Sequence, residues 1–215
     1  SDIVDWPSGE RDGHVFRDYN TVVNAVHHGA LVRMKVMAEA LGQSADVSYF
    51  DNLINANRTA YNNQFYSSGN GYYIDGIGTT HASLHSNAFS LAFGLVDAGN
   101  IQSVADYIIP KGMAPSVYGA QYLLEALYEA GEDQAALDLM AAQTQRSWWN
   151  MMNAGSTVSL EAWDMAFKSN LDWNHAWGAA PANIIPRCLL GVQPIEAGFG
   201  KMQIKPQTAN LANAS

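Results

Sequence analysis

Stretches whose apolar residues recur every three or four positions, each stopped by glycine or proline, fill most of this chain. Such residues run from Val23 to Leu41 and stop at Gly42, and a second stretch that Ser44 can cap runs to Phe65. This spacing places the apolar residues on one face of an α-helix. Two helices joined by so short a connection lie antiparallel, so the pattern predicts a helical hairpin.

The same pattern returns after a glycine-rich break at residues 67–80. It predicts further helices over about 82–97, from Ile101 to Pro110, from Pro115 to Gly131, from Glu132 onwards and over 175–190. Repeated hairpins indicate an all-α protein that forms an α/α toroid or part of one. In a toroid the inner helices surround a central cavity, and the loops at one end carry the chemistry.

The composition restricts the classes of function. Hydrophobic residues make up 48% of the 215 residues and charged residues 14%, which is typical of a globular chain. The formal charge is −9 and the basic residues form no stripe, which argues against a nucleic-acid partner. No apolar run is long enough to cross a membrane, and residues 1–5 lack the features of a signal peptide. The single Cys188 excludes an internal disulfide framework and leaves the cellular compartment undetermined.

Carboxylates, a histidine and indole rings are concentrated in residues 156–164 and 172–178. They lie in or beside a predicted long loop, 153–174, that a short helix or strand interrupts near Glu161. Sites that cleave sugars use carboxylates to move protons and indole faces to stack on pyranose rings. One tryptophan near one glutamate would be explained by core packing and helix capping, but the whole cluster favours a site.

The pattern changes after Gly191. Residues 202–206 alternate in polarity like a β-strand, and the small, polar residues 208–215 predict a flexible tail. The chain therefore ends in a short β segment that differs from the helical part before it.

A set of short segments carries a family resemblance, in a fixed order along the chain. The segments are Asp5-Trp6-Pro7, Tyr72 to Gly76, His81 to Asn87, Gly112 to Tyr122, Arg146 to Met151, Ser159 to Asp164, Asp172 to Gly178 and Gly191 to Pro194. With these motifs, over roughly residues 2 to 207, the chain resembles the C-terminal half of the catalytic domain of bacterial α-L-rhamnosidases of glycoside hydrolase family 78.

The resemblance implies an (α/α)₆ barrel, of which residues 1–190 form a part, followed by a β-sandwich that begins within residues 191–215. It implies inverting hydrolysis of terminal α-L-rhamnose from rhamnosides, without a cofactor. Glu161 matches the position of the general base, which activates water. His175 matches a histidine that contacts the sugar, and Trp163 and Trp149 match aromatic positions of the pocket.

One part of the family pattern is missing from the sequence. The general acid of the family belongs to an acidic, arginine-containing motif upstream of the Asp-Trp-Pro stretch, where this chain begins. The expectation is an incomplete fragment that lacks the acid. Glu10 superficially resembles the acid motif, but its place in the order predicts a residue at the rim of the site. Glu10 and Trp6 are both candidates for contact with the substrate.

Three further residues are candidates for contact with the substrate or for structural roles. Asp75 could bond sugar hydroxyls or tie its loop to backbone N–H groups, and the sequence does not separate these alternatives. His81 and His85 share a helix face, but Ala82 stands where a zinc protease has glutamate, so no metal site is expected. Sugar contact or helix capping is the better interpretation of His85.

Two other functions remain as alternatives. A partial toroid exposes apolar faces, so the chain could be a non-catalytic helical domain that binds sugar weakly or self-associates as a homo-oligomer. A related helical-toroid enzyme such as a lyase is a third possibility. The net charge of −9 argues against the acidic sugars that lyases bind.

Overall fold

Eight α-helices carry the fold in the computed structural model, which describes residues 3 to 213. Their bounds are Thr21–Ala40 (α1), Ser44–Phe65 (α2), Leu84–Ala92 (α3), Ile101–Ile108 (α4), Gly119–Glu129 (α5), Asp133–Met140 (α6), Trp148–Asn153 (α7) and Ala180–Ile184 (α8). The predicted all-α class and the hairpin of α1 and α2 are confirmed.

Side-chain caps define where three of these helices begin. Asn20 accepts a hydrogen bond from the backbone N–H of Val23 at 2.9 Å and starts α1. Ser83 and Ser147 start α3 and α7 in the same way. A capping side chain satisfies an N–H group that the first turn of a helix leaves without an intrahelical partner.

The helices form an inner row and an outer row. Helix α1 packs against α2 and α3, α3 packs against α4 and α5, and α5 packs against α6 and α8. The inner row is therefore α1, α3, α5 and α8, with α2, α4 and α6 behind it. The core between the rows contains side chains with no exposed surface: Leu95, Val104, Ile108, Leu123, Leu124 and Leu127.

Close approach of the first and third helices depends on one glycine. A Cβ atom at Gly29 of α1 would lie 2.4 Å from the ring of Phe93, directly after α3. Real Cβ atoms do not come so close to other atoms, so a larger residue here would separate the two helices.

Two of the predicted helices differ from the observed ones. The helix expected over 82–97 ends at Ala92, and Gly94 follows with a φ angle of 66°. The helix expected over 175–190 is divided into a 3₁₀ turn at Ala176–Gly178, the short α8, and a π-helical turn at Ile185–Leu189. Pro186 has no N–H to donate in an α-helical ladder, which explains the local change of hydrogen-bond pattern.

The described residues contain two antiparallel pairs of β-strands. Strand β1, Tyr66–Ser67, pairs with β2, Tyr72–Tyr73, in a small hairpin after α2. Strand β3, Val192–Pro194, pairs with β4, Met202–Ile204. The predicted β segment at the C-terminus is confirmed, and it consists of two strands.

The predicted flexible tail is described as far as residue 213, and residues 214 and 215 lie outside the described part. The backbone N–H of Ala209 donates to the Asp133 carboxylate at 3.0 Å, and that of Asn210 donates to Gln134 at 3.1 Å. The tail therefore lies against the start of α6. Within residues 3–213 no helix has the length and apolar character needed to span a membrane.

Candidate active site

The acid- and tryptophan-rich loop at residues 154–175 contains no helix or strand, so the short element predicted near Glu161 is absent. Its two halves are instead joined by hydrogen bonds. The N–H of Glu161 donates to the Asp172 carbonyl at 3.0 Å, and the N–H of His175 donates to the Ser159 carbonyl at 2.9 Å. The Ser159 hydroxyl donates to the His175 carbonyl at 2.7 Å. These bonds bring Glu161 and His175 together.

The carboxylate of Glu161 accepts two hydrogen bonds. The Lys168 ammonium lies 2.7 Å from Oε2, and the backbone N–H of Asp172 lies 2.9 Å from the same oxygen. Both long side chains are mostly enclosed, with 12% of Glu161 and 17% of Lys168 exposed. The hydrogen bond from Lys168 lowers the pKa of Glu161, and the bond from Asp172 contributes to the same shift. At neutral pH the group is therefore a carboxylate that can accept a proton.

Two further titratable groups surround this carboxylate. Donor atoms of Glu161, Asp172 and His175 lie within 4.8 Å of one another, an arrangement that resembles a cation site. However, the Lys168 ammonium already supplies a positive charge to the Glu161 carboxylate. We therefore assign no metal to this group.

Trp177 connects the carboxylate region to an apolar cavity. Its indole stacks on His175 with ring centroids 4.3 Å apart, and its N–H donates to the Glu161 carbonyl at 3.1 Å. Its other neighbour is Tyr118, with ring centroids 5.7 Å apart. Trp177, Tyr118 and Trp6 line a cavity of about 620 Å³. Trp177 thus belongs both to the cavity wall and to the hydrogen-bonded segment around Glu161.

A glycine allows Trp177 to approach the Glu161 segment. A Cβ atom at Gly178 would lie 2.3 Å from the carbonyl oxygen of Leu160. The carbonyl of Gly178 also accepts a hydrogen bond from the Trp148 indole at 2.7 Å. Gly178, the residue after Trp177, is therefore held between Leu160 and Trp148.

The two tryptophans expected in the pocket, Trp163 and Trp149, do not line the cavity that contains Trp177. Trp163 has no exposed surface, and its indole N–H donates to the Pro115 carbonyl at 2.7 Å. Its ring meets Trp148 edge-on, with centroids 4.9 Å apart. Trp163 is a core residue: its indole N–H has a hydrogen-bond acceptor and its ring packs against another ring. Trp149 is 43% exposed on α7 and does not line the cavity that contains Trp177.

Glu10 lies in the interior instead of at a rim. It is 1% exposed, and its two carboxylate oxygens bind the guanidinium nitrogens of Arg146 at 2.8 and 2.9 Å. Burial raises the pKa of Glu10, while the charge of Arg146 acts in the opposite direction. Trp6, by contrast, is 49% exposed and faces the cavity, as its predicted contact with substrate requires.

Asp75 is enclosed in a network of hydrogen bonds. Its oxygens accept from the backbone N–H groups of Val15 and Ser83 at 2.8 and 2.7 Å, and His14 and His81 lie beside them. Burial alone would raise the pKa of Asp75, but these hydrogen bonds outweigh it and hold the pKa far below its usual range. Of the two alternatives for Asp75, its contacts correspond to the loop-tying one.

His85 is also enclosed, with its Nε2 atom 2.7 Å from the carboxylate of Asp5. The same carboxylate accepts from the backbone N–H of Ser116 at 2.9 Å. The structure thus places His85 in a buried pair that joins the N-terminal segment to α3 and to the loop before α5. Contact with a sugar would require this pair to open.

Comparison with known proteins identifies the family. The model of the bacterial alpha-L-rhamnosidase 6 hairpin glycosidase domain matches residues 1–189. The chain belongs to this family. The partial (α/α)₆ toroid expected from the sequence is therefore the fold of this rhamnosidase-family chain, and solved structures agree with it.

Relatives of this rhamnosidase-family chain are much longer than it is. An alpha-L-rhamnosidase from Formosa agariphila is 26% identical over 203 residues, an alignment that covers 87% of this chain and 21% of the relative. Solved α-L-rhamnosidases from Dictyoglumus thermophilum and Streptomyces avermitilis, the latter complexed with L-rhamnose, are each 21% identical, with TM-scores of 0.72 and 0.71. They cover 83% and 96% of this chain, which covers 20% and 21% of them. This chain thus spans about a fifth of these relatives.

Three residues of the candidate site were not singled out from the sequence. Lys168 and Trp177 contact Glu161, and Tyr118 contacts Trp177. Trp177 could have been found in the tryptophan-rich segment itself. Lys168 follows Glu161 by seven residues of irregular loop, and no periodicity relates the two positions.

Proposed function

We propose that this chain carries the general base of an inverting α-L-rhamnoside hydrolase and that Glu161 is that base. The observation that carries the proposal is an ionised, mostly enclosed carboxylate on a segment that is hydrogen-bonded to Trp177, a residue of the aromatic cavity wall. In the reaction, water attacks the anomeric carbon and Glu161 takes the proton of that water. The glycosidic bond breaks, and the leaving oxygen receives a proton from a general acid.

The cavity supports a neutral, partly apolar sugar as the ligand. Trp177, Tyr118 and Trp6 offer ring faces, and Val22 and Val26 add aliphatic wall. Rhamnose is a 6-deoxy sugar, so its methyl group and its apolar ring face suit such a wall. His175 stacks on Trp177, and we propose that it bonds a hydroxyl group of the sugar.

We propose that the general acid is supplied by residues outside this sequence. Glu10 is the carboxylate that most resembles the acid motif, but its oxygens are bound by Arg146 in the interior. The relatives are about five times longer than the matched segment, so they contain chain that could provide the acid. Residues 191–215 are proposed to begin the C-terminal β-sandwich, since the family match ends at residue 189 and β3 follows directly.

We also propose that the isolated chain self-associates through its apolar surface. Helix α1 exposes a series of large apolar side chains: Val23, Val26, Met34, Val36 and Met37. Such a surface favours association with a second copy. Light scattering that shows a monomer at high protein concentration would contradict this proposal.

The main test combines rhamnose binding with turnover in the purified chain. L-rhamnose binding is measured by calorimetry, and release of rhamnose from an aryl α-L-rhamnoside is followed in wild type and Glu161→Gln. Glu39→Gln, an exposed carboxylate of α1, is the matched control. Binding without turnover is the expected result. Turnover that Glu161→Gln abolishes would support the base and contradict the absent acid. A folded chain that neither binds nor hydrolyses would refute the proposed function.

A further inference from the structure

Both hydrogen bonds that the described residues donate to the Glu161 carboxylate reach one oxygen, Oε2. The partners are the Lys168 ammonium and the backbone N–H of Asp172. Within residues 3–213 no hydrogen bond reaches Oε1. A general base needs one oxygen that is free to accept a proton and a fixed direction for that oxygen. The observed pattern provides both.

We propose that Lys168 is a positioning residue that anchors Oε2 of Glu161 and so directs Oε1 towards the water that attacks the sugar. This inference rests on the proposed function, in which Glu161 is the base. Lys168 does not contact the sugar in this scheme. The proton of the water passes to Oε1, while Oε2 keeps its two hydrogen bonds.

The anchor is needed because the loop lacks regular structure. A glutamate on a helix or strand is oriented by the backbone of that element, but residues 154–175 contain neither. Besides the hydrogen bonds between Glu161 and Asp172, the indole of Trp177 holds the Glu161 carbonyl. These contacts fix the backbone of Glu161, and Lys168 fixes the end of its side chain.

Lys168 is itself held in place. Its ammonium donates a second hydrogen bond to the Asn170 carbonyl at 3.1 Å. The preceding residue, Phe167, packs against the guanidinium of Arg146 at 4.3 Å, and Arg146 is paired with buried Glu10. The loop around Lys168 is therefore tied to the interior, which limits the freedom of its long side chain.

The charges around Glu161 give the anchor a measurable consequence. The titratable groups that face the carboxylate are Lys168, Asp172 and His175. Lys168 has the largest effect and lowers the pKa of Glu161; removing its charge is expected to raise this pKa. A base with a raised pKa is protonated over a wider acidic range, so hydrolysis would be lost at a higher pH.

The first experiment measures the titration of Glu161 directly, without any need for turnover. Protein labelled with ¹³C at glutamate side chains is titrated by NMR, and the Glu161 signal is identified by its loss in Glu161→Gln. Lys168→Met is expected to shift the midpoint upwards, and Lys168→Arg is expected to restore the low midpoint. Lys35→Met is the matched control, since Lys35 forms a similar ion pair with Asp51 between α1 and α2.

The second experiment measures the pH profile of rhamnoside hydrolysis in the full-length protein that contains this segment. Lys168→Met should lower kcat about tenfold or more, with a smaller change in KM, because a misdirected base affects the reaction more than binding. The acidic limb of kcat/KM should move to higher pH. Lys168→Arg should recover most of the loss, and circular dichroism verifies that each variant is folded.

The outcomes separate the two proposals. If the titration midpoint of Glu161 and the acidic limb of kcat/KM are both unchanged in folded Lys168→Met, the positioning role of Lys168 is wrong. The assignment of Glu161 as the base would not be affected. An equal fall in kcat for Lys168→Met and Lys35→Met would also overturn the positioning role. Full turnover in Glu161→Gln would overturn the proposed function, and with it any role for Lys168 in the reaction.

Discussion

Arg146 and Glu10 form a two-bonded ion pair, with nitrogen–oxygen distances of 2.8 and 2.9 Å, across a sequence separation of 136 residues. Arg146 also donates to the carbonyl of Ala114 at 3.0 Å and packs on Phe167. One guanidinium therefore connects the N-terminal segment, the loop before α5 and the loop that carries Glu161. Neither residue of the pair lines the cavity that contains Trp177.

Removal of this guanidinium should destabilise the folded protein. Arg146→Met leaves Glu10 buried without its partner, and we expect the free energy of unfolding to fall by about 3 kcal/mol near neutral pH. Because burial already raises the pKa of Glu10, the variant can protonate this group in acid, so the loss of unfolding free energy should be smaller at about pH 5. Urea denaturation at both pH values measures this. An equal loss of unfolding free energy at both pH values would contradict the protonation of Glu10 in the variant.

The pKa of Asp75 is shifted in the opposite direction to that of Glu10. Its pKa in the folded state lies far below the unfolded value of about 3.9. The contribution of Asp75 to the free energy of unfolding is therefore complete above that pH and is lost as the pH falls further. Asp75→Asn should reduce the free energy of unfolding by about 3 kcal/mol near neutral pH, with a narrowing difference in acid. Denaturant titrations from neutral pH downwards test this. Asp97 forms an exposed ion pair with Arg58, so Asp97→Asn should change the free energy of unfolding little.

Trp163 should affect stability and leave the sugar-binding surface unchanged. Trp163→Phe removes the hydrogen bond to Pro115 and creates a gap in a fully buried position, so we expect a loss of about 2 kcal/mol. Trp149→Phe at an exposed position should alter stability little. Thermal unfolding and L-rhamnose calorimetry measure the two properties. A large loss of rhamnose affinity in well-folded Trp163→Phe would show that Trp163 contributes to sugar binding.

Gly178 should control the position of the cavity wall. A methyl group at this residue would collide with the Leu160 carbonyl and push Trp177 away from Glu161. We expect Gly178→Ala to weaken L-rhamnose binding about tenfold, as a small displacement is enough for such an effect. Gly99→Ala, where nothing lies within 4 Å of the added atom, is the control. Equal affinity in both variants would show that Trp177 does not shape the binding site.

Much of the helical framework could be predicted because local patterns determine it. The apolar spacing from Val23 to Leu41, the stop at Gly42 and the shift of pattern after Gly191 correspond to α1, its end and the start of the β segment. The divided helix near Pro186 was harder to predict. There, the order of residues resembles one helix, and only the missing N–H of proline changes the hydrogen-bond pattern.

The site was predicted less completely than the fold. The acid- and tryptophan-rich segments and the family resemblance pointed to Glu161, His175 and Trp6, but they do not tell which tryptophan faces a cavity. Trp163 and Trp177 lie in similar sequence surroundings, yet one is buried and the other is 37% exposed. The difference arises from long-range contacts, such as that of Trp163 with Pro115, which no local pattern contains.

The distribution of indole rings makes the protein a natural optical reporter. Five of its six tryptophans fall between residues 148 and 177, among the segments that surround Glu161. Its intrinsic fluorescence therefore originates mainly from this one region. A change in emission intensity or wavelength will describe the surroundings of the loop and of Trp177, so ligand titrations can be followed without an attached dye.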